Sequence, residues 1–267
     1  MKIDQRALRF NCNGSSLIGV VDVPERPLQR GVLMLADSEQ YRIGSHRQFT
    51  LLSRVLAQRG LPMMRFDRRG MGDSEGAPRA FDAIEDDIRA AIKEFSTQVP
   101  EMKEIVILGL GDAALAAALY APLDERVCAL VLLNPLPGRP VDDPAEPLRH
   151  HYLARLGEVA FWKKVARGEL GLAERAGTLR EQWRRMGGGA HRTALPRRIA
   201  DSLNGFPGRL LLVLGGEDLA ARHFARVLAR HHARFRCVEV AQADHAFTSS
   251  AWRDEVADAS ANWIMSW

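Results

Sequence analysis

Short apolar runs alternating with helical segments constrain this 267-residue chain more than any other feature. The runs are residues 31–36 (GVLMLA), 61–67 (LPMMRFD), 104–109 (EIVILG), 126–135 (RVCALVLLNP), 209–215 (RLLLVLG) and 235–241 (FRCVEVA). Each is the length of one strand, and the continuous apolar runs at 31–36 and 126–135 read as buried strands. Between them lie helical patterns. Residues 46–60 carry Phe49, Leu52, Val55 and Leu56 at helical spacing, with Ser45 as a candidate N-cap and Gly60 as a stop. Residues 82–98 place Ile84, Ile88, Ala91, Ile92 and Phe95 on one face. Further helices are expected at 112–121, 219–233 and 251–266. Two alternating runs, 5–12 and 16–23, flank Asn13-Gly14, a hairpin signal. This rhythm predicts an α/β fold: an eight-stranded, mostly parallel sheet flanked by helices.

The rhythm stops at Pro135 and resumes near residue 206. Residues 138–205 are polar and rich in Arg and Trp, so they read as a helical cap inserted after the sixth strand. Residues 1–137 and 206–267 then form the core. The same segment explains the charge. The chain carries +4 and an isoelectric point of 9.2, which invites a nucleic-acid reading. Residues 139–200 hold thirteen Arg or Lys against seven acids, more than the whole excess, and the rest is slightly acidic. With no recognisable nucleic-acid module, a basic cap over a pocket suits a small anionic or acyl ligand better. The expected partner is therefore a small molecule, with no nucleic acid.

Cys12, Cys128 and Cys237 are far apart with no CxxC pair, so neither a zinc site nor a disulfide framework is expected, and no cofactor or metal. They fall in expected strands and read as small buried hydrophobes. The paired histidines His150-His151 and His231-His232 point apart on a helix and do not read as ligands. No run of about 18 apolar residues is present, so no membrane span is expected, and the start, MKIDQRALRF, has no apolar leader region. Together with the cysteine usage this leads to an expected cytoplasmic setting.

Four stretches resemble the α/β-hydrolase family. Phe66-Asp67-Arg68-Arg69-Gly70-Met71-Gly72-Asp73-Ser74 is similar to its D-x-R-G-x-G-x-S loop, with Asp67 and Arg69 as braces. Gly109-Leu110-Gly111-Asp112-Ala113 falls where the nucleophile elbow belongs, between strand and helix. Leu214-Gly215-Gly216-Glu217-Asp218 stands where the family places its acid, and Ala243-Asp244-His245-Ala246-Phe247 where it places its base. A closer resemblance, to the exosortase A system-associated hydrolases, lies in residues 40–49 (QYRIGSHRQF) and 65–76 (RFDRRGMGDSEG). It implies acyl hydrolysis or transfer in an exopolysaccharide or protein-sorting setting.

What the resemblance implies for the site is His245 as base and Asp218 as its orienting acid, with Glu217 as the adjacent rival. Asp244 reads as a loop brace. The backbone N–H of Asp112, with one from Asp37 or Ser38, would form the oxyanion hole. Arg42, His46 and Arg47 are candidate ligand contacts near the pocket mouth. The departure is Gly111, which stands where a Ser, Cys or Asp nucleophile is needed. Three readings are open: a non-catalytic binder; chemistry through water activated by His245, or through Asp112; or a glycine introduced at 111 by engineering into a naturally active protein. A further departure is Ala36-Asp37 in place of His-Gly; an acid there is unhelpful to an oxyanion unless turned away.

Overall fold

The computed structural model describes residues 2–37, 40–136 and 189–267. The unit treated below comprises Met1–Arg139 with Pro196–Trp267. The expected cap falls largely on residues 137–188, outside the described residues, as do Ser38 and the His150-His151 pair.

Eight strands form one sheet: β1 (Ile3–Cys12), β2 (Ser15–Pro24), β3 (Arg30–Leu35), β4 (Met63–Phe66), β5 (Glu104–Leu110), β6 (Val127–Leu133), β7 (Arg209–Gly215) and β8 (Arg236–Val240). Their order is β1-β2-β4-β3-β5-β6-β7-β8. β2 pairs antiparallel with β1 and β4, and all later pairs are parallel. The β1–β2 turn is Asn13-Gly14, both with positive φ (50° and 86°), the backbone that a tight two-residue hairpin requires. Six helices accompany the sheet among the described residues: α1 (Gln48–Gln58), α2 (Glu85–Gln98), α3 (Asp112–Tyr120), α4 (Gly189–Gly205), α5 (Leu219–Arg230) and α6 (Ser250–Ile264).

The apolar runs of β3 to β7 are buried, whereas β8, at the edge of the sheet, is mostly exposed. Val32, Met34, Val106, Leu108, Val131 and Val213 share one core with Leu52 and Leu56 of α1 and Val256 and Ala261 of α6. Removing such area from water supplies about 25 cal/mol per Å². On α3 the alanines let helix and sheet approach closely. A Cβ on Gly109 would stand 2.7 Å from the Ala113 carbonyl oxygen, so only glycine fits the last turn of β5 against α3.

Two expectations are corrected. The first helix begins at Gln48, not His46, because His46 and Arg47 have left-handed φ of 51° and 60°. Ser45 heads a short 3-10 turn there and makes no side-chain capping bond. Of the cysteines, Cys12 is buried, Cys128 only partly, and Cys237 is exposed, because β8 is an edge strand with an open outer face.

Candidate active site

Parallel strands deliver their C-terminal ends to one side of the sheet, and the residues singled out above follow those ends. Gly111 follows β5 and Asp37 follows β3. Asp218 sits between β7 and α5, and His245 between β8 and α6. Register aligns Leu35 of β3 with Gly109 of β5, so the two segments leave the sheet side by side.

Gly111 has φ 61° and ψ −123°. An L-residue adopts that conformation only under strain; glycine adopts it freely. Its N–H donates to the Leu133 carbonyl (3.0 Å), and its carbonyl accepts from the Leu136 N–H (3.2 Å), which fixes the turn from both sides. A Cβ placed on Gly111 would lie 3.4 Å from His245 Nε2, 3.3 Å from Asp37 Cβ and 3.4 Å from Asp37 Oδ2. The elbow therefore has its backbone and its facing imidazole, and lacks only the reacting side chain.

His245 Nδ1 is 2.5 Å from Asp218 Oδ2. Asp218 also caps α5, its Oδ1 accepting the Ala221 N–H at 2.9 Å. Burial by itself raises the Asp218 pKa, but hydrogen bonds from His245 and from backbone N–H groups outweigh it and hold the carboxyl below its usual value. For His245, burial pushes the pKa down, yet the bond to Asp218 and the charges of Asp218, Asp37 and Asp244 carry it above the usual imidazole value. Glu217, the rival orienter, is exposed, whereas Asp218 is buried. Asp244 accepts from both the Thr248 N–H (3.0 Å) and the Thr248 hydroxyl, so it braces the entry to α6.

Asn134, at the end of β6, escaped the sequence reading. It is fully buried. Its Nδ2 donates to the His245 carbonyl (2.8 Å) and its Oδ1 accepts the Gly215 N–H (2.7 Å), joining the base loop to the acid loop. Its φ of 41°, tolerated best by Asn among side-chain-bearing residues, comes straight after an apolar strand. A polar residue ending the run VLLNP was the available signal.

The remaining candidates separate. Asp37 is not turned away: it faces Gly111, and its Oδ2 also accepts from Gln40 Nε2 at 3.2 Å. Asp112 is buried as the first residue of α3. Arg42 is committed to the D-x-R-G loop. Its backbone N–H donates to Asp67 Oδ1 (2.7 Å), and its guanidinium reaches Asp67 Oδ2 and Asp73 Oδ2, the latter at 2.6 Å. Asp67 also accepts the Asp73 N–H at 3.0 Å, and Arg69 pairs with Asp87, so both brace the loop as expected. His46 and Arg47 are exposed ahead of α1. Among the described residues no group of three His, Cys, Asp or Glu could hold a metal ion, and no helix is long and apolar enough to cross a membrane.

The family model described as the alpha/beta hydrolase family matches residues 36–259. No curated protein matches the chain. Among solved structures, an esterase from Pyrococcus furiosus superposes with a TM-score of 0.67 at 17% identity, covering 99% of this chain and 91% of that one. A dienelactone hydrolase from Anabaena variabilis gives 0.65 at 16% identity, covering 100% and 99%. Est1E from Butyrivibrio proteoclasticus, with ferulic acid bound, gives 0.66 at 16% identity, covering 97% and 98%. At these identities the likeness is one of fold.

Proposed function

Because the chain belongs to the alpha/beta hydrolase family, we propose that it hydrolyses or transfers an acyl group without forming an acyl-enzyme at residue 111. The substrate is an ester, thioester or amide. His245 acts directly on a water or acceptor hydroxyl, and Asp218 orients its ring. One observation carries this: His245 Nε2 faces the side-chain position of Gly111 at 3.4 Å while Nδ1 is held by Asp218.

With Nδ1–H donated to Asp218, Nε2 is the accepting nitrogen. It takes a proton from the attacking O–H, the oxygen adds to the acyl carbon, and the imidazolium returns the proton to the leaving group. The backbone N–H of Asp112, with one from Asp37 or Ser38, is the proposed oxyanion hole. A serine hydrolase stripped of one triad member keeps roughly 10³–10⁴-fold catalysis over water from such parts.

The likeness of residues 40–49 and 65–76 to the exosortase A system-associated hydrolases supports a substrate from exopolysaccharide or protein-sorting chemistry, in the cytoplasm. The basic residues 139–200 support a ligand that carries negative charge. A second reading is a non-catalytic hydrolase-fold protein that binds such an acyl or saccharide ligand. The Asp37 carboxylate favours it, since a negative charge beside the acyl carbon opposes a developing oxyanion.

Hydrolysis of p-nitrophenyl acetate and of a short acyl thioester by the unaltered chain, His245→Ala, Gly111→Ser and Gly111→Cys decides between them. Activity of the unaltered chain that His245→Ala removes supports direct base catalysis. Activity only after Ser or Cys is introduced overturns it in favour of the binder.

A further inference from the structure

Asp37 has a geometry that an oxyanion-hole position does not require. Its Oδ2 and His245 Nε2 each stand 3.4 Å from one point, the side-chain position of Gly111. They border from two sides the volume that a nucleophile would fill. The carboxylate is oriented by more than chance. Gln40 Nε2 donates to Oδ2 (3.2 Å), and Gln40 is itself fixed, its Oε1 accepting the Ser45 N–H (2.9 Å) and Gln48 Nε2 (3.2 Å).

The charged groups acting on the His245 ring come from three elements. They are Asp218 before α5, Asp37 after β3, and Asp244 on the ring's own loop. Asp218 contacts Nδ1, and Asp37 is the carboxylate that borders the side-chain position of Gly111.

We propose that Asp37 and His245 form a second proton-handling pair across the position that glycine leaves open at 111. Together they hold a water or ligand hydroxyl where a nucleophilic side chain would stand. This rests on the acyl-transfer reading and names the group that replaces the missing one. The bound O–H gives its proton to His245 Nε2. A water's second hydrogen stays on its oxygen and donates a hydrogen bond to the Asp37 carboxylate. The oxygen adds to the acyl carbon, the bond to the leaving group breaks, and Nε2 returns the proton to that group. Asp37 takes up no proton in this step and forms no covalent bond. Its fixed charge also sets specificity. The reacting carbonyl is neutral, and any negative charge on the ligand lies away from it.

Two readouts test the pair. The first is the ¹⁵N titration of the His245 ring, identified by its loss in His245→Ala. Asp37→Asn is expected to lower its midpoint by about one pH unit, as Asp218→Asn does; a midpoint moved only by Asp218→Asn overturns the pair. The second is p-nitrophenyl acetate hydrolysis. Asp37→Asn is expected to lower it about a hundred-fold, and formate to restore part of it in Asp37→Ala. Full activity in Asp37→Asn also overturns the proposal. No turnover with a shifted midpoint sinks the hydrolytic reading and leaves the pair. Turnover dependent on His245 but indifferent to Asp37, with an unmoved midpoint, sinks the pair and leaves the reading.

Discussion

Asn134 donates from Nδ2 to the backbone carbonyl of His245 at 2.8 Å, so the base loop that follows β8 is held from the end of β6, two positions away in the sheet order. The same side chain accepts the Gly215 N–H at 2.7 Å, just ahead of Asp218. Asn134→Gly keeps the positive φ and loses both bonds. A buried N–H left without an acceptor costs about 1–3 kcal/mol. Urea unfolding is expected to show a loss of that size in Asn134→Gly. Asn134→Asp, which keeps the acceptor and loses the donor, should also weaken the hold on the His245 carbonyl. Equal stability of all three forms would contradict the tether.

The Asp218–His245 pair gives stability a definite pH profile. A depressed carboxyl contributes above its unfolded value of about 3.9 and loses that contribution as pH falls through its folded value. A raised imidazole contributes fully below its unfolded value of about 6.5 and loses that contribution as pH rises through its folded value. The directions at Asp218 and His245 therefore place the pair's maximum between the two, near pH 5 to 6. The stability gap between the unaltered chain and His245→Ala, from denaturant melts, is expected to be wider at about pH 5.5 than at about pH 9. A gap that widens toward alkaline pH would contradict the assignment.

Gly111→Ala isolates the backbone term. The φ of 61° is strained for any L-residue, and the new Cβ would sit 3.3 Å from Asp37 Cβ. Strain of this kind costs about 1–3 kcal/mol. A loss of stability in that range is expected on thermal melting, with the fold retained by circular dichroism. An unchanged melting temperature would show that the turn relaxes when a side chain is introduced.

Arg68 is 4% exposed, and among the described residues neither of its terminal guanidinium nitrogens has a hydrogen-bond partner. An uncompensated buried charge is destabilising, and replacing buried ionic groups by apolar side chains of similar volume often stabilises by about 1–4 kcal/mol. Arg68→Met is expected to raise the denaturation midpoint, unlike Arg69→Met, which leaves the Asp87 carboxylate without its guanidinium. A lower midpoint in Arg68→Met would mean that its stem packing outweighs its charge.

The strands were legible because each is a separate apolar run bounded by turn residues, and the β1–β2 hairpin because Asn13-Gly14 signals one turn type. The Asp218–His245 contact was legible from motif order. The same reading put Asp218 ahead of Glu217, and α5 supplies the physical reason: Asp218 is its cap and the buried one of the two. The start of α1 was not legible: residues 46–49 keep helical spacing in their apolar members, while two left-handed residues delay the helix. Asn134 was hidden because its role depends on two loops far away in sequence. The direction of Asp37 was hidden because a one-residue loop position does not fix where a side chain points.

The turn at Gly111 also bears on how such a chain changes over generations. A side chain at this elbow pays in strain for its reactivity, whereas glycine removes both at once. Loss of the nucleophile is then an easy step, with no compensating change needed elsewhere in the fold. The return is harder: a new side chain must regain the strained turn and also fit beside the Asp37 carboxylate that borders its place.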